Sequence, residues 1–511
     1  MNSGKIVMLP LDERPCNFDY PAMMPKTDCE LILPPKSIMG DKKIPGNVEL
    51  ISDWLLSNAK DADALILSLD TLVYGGIVPS RLHKSDAAQL IKRVDIIKAL
   101  RELNPEMKLY VFGLIMRCPR HSSDAEEPDY YKECGAEIHL YGKYTHLEKL
   151  GKLSAEEEKD FERVKKAVEK SYLDDYLTRR KTNLSVLMHA LSYAADGTVD
   201  YFIVPQDDSA VYGFTAMDQM TVRDFLKSNI LHKRTAMYPS ADDTGLTLLA
   251  RAAAQLSGTR PKVYVHYSSS KGGLTIPIVE DRILAETIKY HILSVDGIQV
   301  YSLPEADILL GVNVGSAMLS KRDHASITAY DIERNLAEFV NYIQYALSLD
   351  KTVAIADVAM VNTADTELTS LLHKENMMFE IHAYAGWNTS SNTIGTALCQ
   401  AILYRIGSDK AGNDSFLAHR YYEDIGYMAY ARRHITNDLL PTLNLDREQV
   451  DGKDGVVADL VRDAVVSYME KNYPDVFRLV EEVTVTIPWV RMFETDIKLK
   501  MSTSGEKHCK S

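Results

Sequence analysis

The stretch VDYFIVPQDDSAVYGF, residues 199–214, sets the reading of the chain. An apolar run from Tyr201 to Val204 stops at Pro205, and two adjacent acids, Asp207 and Asp208, follow at once. An apolar run of this length, closed by a proline, reads as a buried strand. Carboxylates this close repel, so one of them tends to keep its proton, which an acid–base site can use and a solvated turn does not need.

The same grammar recurs along the chain. KIVMLPL, ELILPP, ALILSLD, KLYVFGLIM, RTAMYPS, KVYVHYS, DILLGVNV, TVAIADVAM and FEIHAYAG are further strand-like runs. Between them lie segments such as AAQLIKRVDIIKALREL and IERNLAEFVNYIQYALSL, whose apolar residues recur every three or four positions, as one buried helix face requires. Strands alternating with helices mean βα units and a parallel sheet, and strands apolar on both sides mean helices over both faces. The expected fold is α/β, a parallel (β/α) barrel or barrel-like core over residues 1–397, with two doubly wound sheets as the alternative. A charged, tyrosine-rich helical insertion is expected at about 122–181, and a mainly helical C-terminal region with a polar tail at 398–511.

Composition narrows the classes of function. The 511 residues are 46% hydrophobic and 25% charged, as in a globular protein. The net charge of −14 argues against nucleic acid or an anionic membrane as partner, and no apolar run is long enough to span a bilayer. The start, MNSGKIVMLPLDERP, lacks the apolar core of a signal peptide, so a cytoplasmic location is expected. Cys16, Cys29, Cys118, Cys134, Cys399 and Cys509 form no CxxC pair and read as free thiols. HExxH, GxxxxGK[ST], GxGxxG and GxSxG signatures are all absent.

Polar residues gather where the strand-like runs end. Asp12, Glu13 and Arg14 follow the first; Asp70, Tyr74, Gly75, Gly76 and Arg81 follow ALILSL. Arg117 follows LYVFGLIM, Asp242 and Asp243 follow RTAMYPSA, and Tyr267 ends KVYVHY. Asn313, then Asp357 and Asn362, then Trp387 and Asn388 close the last three. Any single Asp among them would serve as a helix cap. In parallel folds ligands sit beyond the carboxyl ends of the strands, so together they outline a candidate substrate site, with Asp207 and Asp208 as its catalytic pair. No cofactor is required by this reading. Mg or Mn on the carboxylates Asp12, Asp70, Asp207, Asp242 and Asp357 is the alternative.

LPLDERPCN, the YGG…SR segment, the DD pair, AYAGWNT…IGTAL and HRYYEDIGYMAYARR together resemble a bacterial family of unknown function common in Firmicutes, over nearly the whole chain. More locally, Asp207-Asp208 and Trp387-Asn388 are similar to the O-GlcNAc hydrolases. That second resemblance implies a barrel glycosidase in which one acid orients the substrate's acetamide and its neighbour protonates the leaving oxygen. The expectation is therefore a glycoside hydrolase on an acetamido sugar or related glycan fragment, whose partner is a small-molecule or oligosaccharide substrate. A divalent-metal hydrolase or lyase and a non-catalytic sugar-binding protein are the alternatives.

Overall fold

The computed structural model describes residues 4–207, 209–278, 280–315 and 332–502. The chain forms two compact units. One holds residues 1–13, 29–252 and 279–281; the other holds 14–28, 253–278 and 282–511. Asp208 lies outside the described residues.

The first unit is built on β1 (Lys5–Leu9), β2 (Glu30–Ile32), β3 (Ala64–Ser68), β4 (Lys108–Phe112), β5 (Tyr201–Gln206) and β6 (Thr235–Pro239). They pair in the order β2-β1-β3-β4-β5-β6, every neighbour parallel. The central strands are buried along their length, which is why their sequences show no polar alternation. The chain steps from β1 to β2 and then returns past β1 to β3. Right-handed crossovers therefore place the connecting helices on opposite faces on the two sides of β1. The insertion is helical, as its sequence indicates, with helices Tyr131–Lys149, Ala155–Ala167 and Lys170–Ala195. Ser154 and Glu157 form a reciprocal capping box that starts the middle one.

The second unit carries β7 (Lys262–Tyr267), β8 (Ile298–Val300), β9 (Ile308–Asn313), β10 (Thr352–Asp357) and β11 (Ala383–Ala385), paired in parallel in the order β11-β10-β9-β7-β8. Here too the first strand lies between the second and the third. The helices after Leu398 pack in this unit, and an apolar core including Phe339, Ile355, Tyr384, Tyr421 and Val465 joins them to the sheet. An antiparallel hairpin of β12 (Val480–Thr486) and β13 (Asp496–Met501) follows. No described helix is long and apolar enough to cross a membrane.

Candidate functional site

The carboxyl ends of β3, β4 and β5 open onto one narrow recess of the first unit, which encloses only about 10 Å³ of water-accessible space. Asp70, Tyr74, Ser80 and Arg81 reach it from the segment after β3, Leu114 to Arg117 from the end of β4, and Asp207 from the end of β5. Asn183, Val186 and Leu187 close one side from the last insertion helix. Five of the polar residues expected from strand ends (Asp70, Tyr74, Arg81, Arg117 and Asp207) are thus brought to a single place.

Local structure explains how they arrive there. Ser68, the last residue of β3, caps the helix Leu69–Tyr74 by accepting from Thr71 N, which puts Asp70 in its first turn. The Thr71 hydroxyl lies 2.7 and 2.6 Å from the carbonyls of Pro10 and Leu11 and anchors this helix at the end of β1. The helix stops at Gly75, whose φ of 83° is left-handed, and a Cβ there would stand 2.6 Å from Gly46 N. The glycine therefore meets the protein's own backbone, and its freedom serves the turn.

Arg81 is the electrostatic centre of the recess. Its Nη2 lies 2.9 Å from Asp207 Oδ2 and its Nη1 2.9 Å from Glu126 Oε2. Arg117 shares the same Glu126 oxygen at 3.1 Å and holds Glu127 Oε1 at 2.8 Å. Glu126 and Glu127 are not among the strand-end residues. Their only mark in the sequence is an acid pair before Pro128 in a stretch that otherwise reads as solvated. Asp207 is thus present as the carboxylate of an ion pair. Asp70 is held differently: burial pushes its carboxyl up to about 6, against the opposing pull of the Leu114 N–H, which donates to it at 3.0 Å, and of Arg81. One recess therefore holds an ionised acid and a readily protonated one.

Of the other expected residues in this unit, Asp12 is buried and Glu13 accepts from Lys42 N at 2.8 Å. Gly76 N bonds the Asp70 carbonyl. Asp242 and Asp243 are both buried after β6. Burial lifts Asp243 to about 7 although the hydroxyls of Ser240 (2.6 Å) and Thr247 (3.1 Å) donate to it.

The remaining expected residues belong to the second unit. Arg14 stacks over Trp489 at 4.4 Å. Tyr267, pushed up to about 12 by burial, closes β7. Asn313 and Asp357 belong to a buried network: Asn313 Nδ2 donates to Asp357 Oδ1 (2.9 Å) and Asp365 Oδ2 (3.0 Å), and Ser268 Oγ donates to Asn313 Oδ1 (3.0 Å). Tyr384 OH and Asp365 N take the other Asp357 oxygen, and Arg334 pairs with Asp365. Trp387 is 5% exposed; its ring meets Tyr20 edge-on at 5.8 Å and its indole N–H donates to Thr396. Gly386 N donates to Asp424, itself paired with the fully buried Arg420 of the HRYYED motif. Asn362 and Asn388 are both left-handed, a conformation asparagine tolerates, and Asn362 N bonds the Asn388 carbonyl.

Among the described residues no three His, Cys, Asp or Glu side chains are grouped to hold a metal ion. Asp207 is engaged by Arg81, and the Asp357 oxygens by Asn313, Tyr384 and Asp365.

The chain belongs to the family described as protein of unknown function (DUF4127), whose model matches residues 6–498. No curated protein and no solved structure is found to match it.

Proposed function

We propose that this protein is a glycoside hydrolase acting on a small glycan fragment, an acetamido sugar or a close relative, with Asp70 and Asp207 as its working carboxyl pair. The observation that carries the reading is their difference in one recess. Asp70 is lifted to about 6 by burial, whereas Asp207 stands as a carboxylate against Arg81. Glycosidic cleavage needs such a split: a protonated carboxyl gives its proton to the leaving oxygen while an ionised one stabilises or attacks the developing positive charge at the anomeric carbon. In the substrate-assisted form the ionised carboxylate instead orients the acetamide whose oxygen attacks. Asp70 then acts as the acid and Asp207 as the carboxylate, in place of the neighbouring pair Asp207-Asp208. The apolar walls supplied by Leu69, Ile115 and Leu187 suit a sugar ring's C–H face.

A panel of chromogenic aryl glycosides, assayed with and without EDTA, tests the reading. Turnover of an aryl glycoside that EDTA leaves unchanged is the expected result. Asp207→Asn should then lower kcat about a hundredfold or more while the protein stays folded. Full activity in that variant removes Asp207 from the mechanism, and EDTA-sensitive turnover returns the metal alternative.

A further inference from the structure

Tyr74 lies four residues after Asp70 on the same short helix. At that spacing two side chains leave a helix on one face, and both line the recess. Tyr74 is only 7% exposed, and among the described residues nothing hydrogen-bonds its hydroxyl. A buried phenol normally finds a partner, because leaving one unpaired is costly. Here the Tyr74 side chain lines the recess, where its hydroxyl is open to water or to a ligand's oxygen.

The ring is held in place by residues the strand-end pattern does not include. His83 lies against it at 4.8 Å between centroids, tilted by 30°. His83 Nε2 is 2.6 Å from Asn183 Oδ1, and Asn183 Nδ2 donates to the Ser80 carbonyl at 2.7 Å. Because a carbonyl oxygen only accepts, this bond places the imidazole proton on Nε2. Burial holds His83 below its ordinary value, so it braces Tyr74 as a neutral ring. Burial also holds the Tyr74 phenol far above its ordinary value, which keeps it a donor at every working pH.

We propose that Tyr74 contacts the substrate through its hydroxyl, donating to an oxygen beside the leaving glycosidic oxygen that Asp70 protonates, and that His83 and Asn183 are positioning residues for its ring. This rests on the glycosidase reading of the same recess. It also explains why the helical insertion reaches the recess, since Asn183 sits on its last helix and locks His83 from there.

The test uses the full chain and the aryl glycoside that the wild type turns over best. Tyr74→Phe, which removes a hydroxyl without a partner among the described residues, should lower kcat about tenfold or more, with an unchanged melting temperature. His83→Ala should lower kcat less, and should add nothing in the Tyr74→Phe background, because both act through one group. Wild-type turnover in Tyr74→Phe overturns the proposal, as does a His83→Ala loss that multiplies with it. If His83→Ala does not fold, Tyr74→Phe alone decides. If the wild type cleaves no glycoside, it is the glycosidase reading that fails, and calorimetric titration with N-acetylglucosamine judges Tyr74 separately. Weaker binding by Tyr74→Phe than by the wild type supports the contact; equal binding, or none to the wild type, ends it.

Discussion

Replacing Asp70 by Asn should stabilise the protein at neutral pH while abolishing most of its turnover. Burial lifts the Asp70 carboxyl from an ordinary 3.8 to about 6 in the folded chain. The unfolded chain titrates at the ordinary value, so between the two the folded state keeps a proton that the unfolded state releases. The stability contributed by this protonated form is full below the unfolded value and is lost as pH rises through the folded one. One pKa unit corresponds to about 1.4 kcal/mol, so the ionised carboxylate above pH 6 costs the fold about 3 kcal/mol relative to the acid. Asparagine has nearly the same shape and no charge, and its carbonyl oxygen can keep the Leu114 N–H bond now at 3.0 Å. Recovery of about 1–3 kcal/mol is therefore expected at pH 7.5, shrinking toward zero near pH 4. Urea unfolding of both proteins at the two pH values measures the difference, with an aryl glycoside assay alongside. A destabilised variant at pH 7.5, or an effect equal at both pH values, would refute the claim that Asp70 is held against its own solvation.

Two substitutions outside the acid–base pair complete the comparison. Asp357→Asn should have the opposite sign: Asn313 Nδ2, Tyr384 OH and Asp365 N all donate to this carboxylate, and an amide would turn an N–H toward one of them. A loss of about 1–3 kcal/mol is expected near pH 4 in the same urea experiment, shrinking toward pH 7.5 because burial lifts Asp357 to about 6 as well. Gly75→Ala should lower stability by about 2 kcal/mol or more, read as a fall in melting temperature, because φ is 83° and the new Cβ would stand 2.6 Å from Gly46 N.

The strands were legible because burial on both faces leaves their composition unmixed. KIVML, ALILS and TVAIAD are apolar almost throughout, and each forms a parallel strand. β8 is the exception: its three residues, IQV, lie at the sheet edge with Ile298 38% exposed, and nothing apolar marks them out. A βα alternation reads alike whether its strands share one sheet or two. What separates the cases is where a crossover reverses, which is decided by helix packing across long stretches of chain. Glu126 and Glu127 were hidden for a related reason. They sit in a charged stretch, and only the fold shows that Arg81, some forty residues earlier in the chain, draws on them. His83 and Asn183, a hundred residues apart, meet only once the insertion is folded.

The two units share an order of strands, and the comparison shows what a polar strand end does and does not mean. In each sheet the first strand lies between the second and the third, and polar residues follow the third and fourth. Asp70 follows β3 and Asp357 ends β10, and burial lifts both to about 6. By protonation alone they are equivalent. Their partners separate them: Asp357 receives donors from the end of β9, from the segment after β10 and from β11, so its burial knits three strand ends together. Asp70 has donors from the fold too, the Leu114 N–H, its own N–H and the Ser80 side chain, but it lines a recess in which Arg81 and Tyr74 stand beside it. A carboxyl whose donors are all supplied by the fold is a structural device. One that lines a recess beside Arg81 and a tyrosine whose hydroxyl has no partner among the described residues can be met by a ligand, and for that reason the functional reading rests on the first unit's recess.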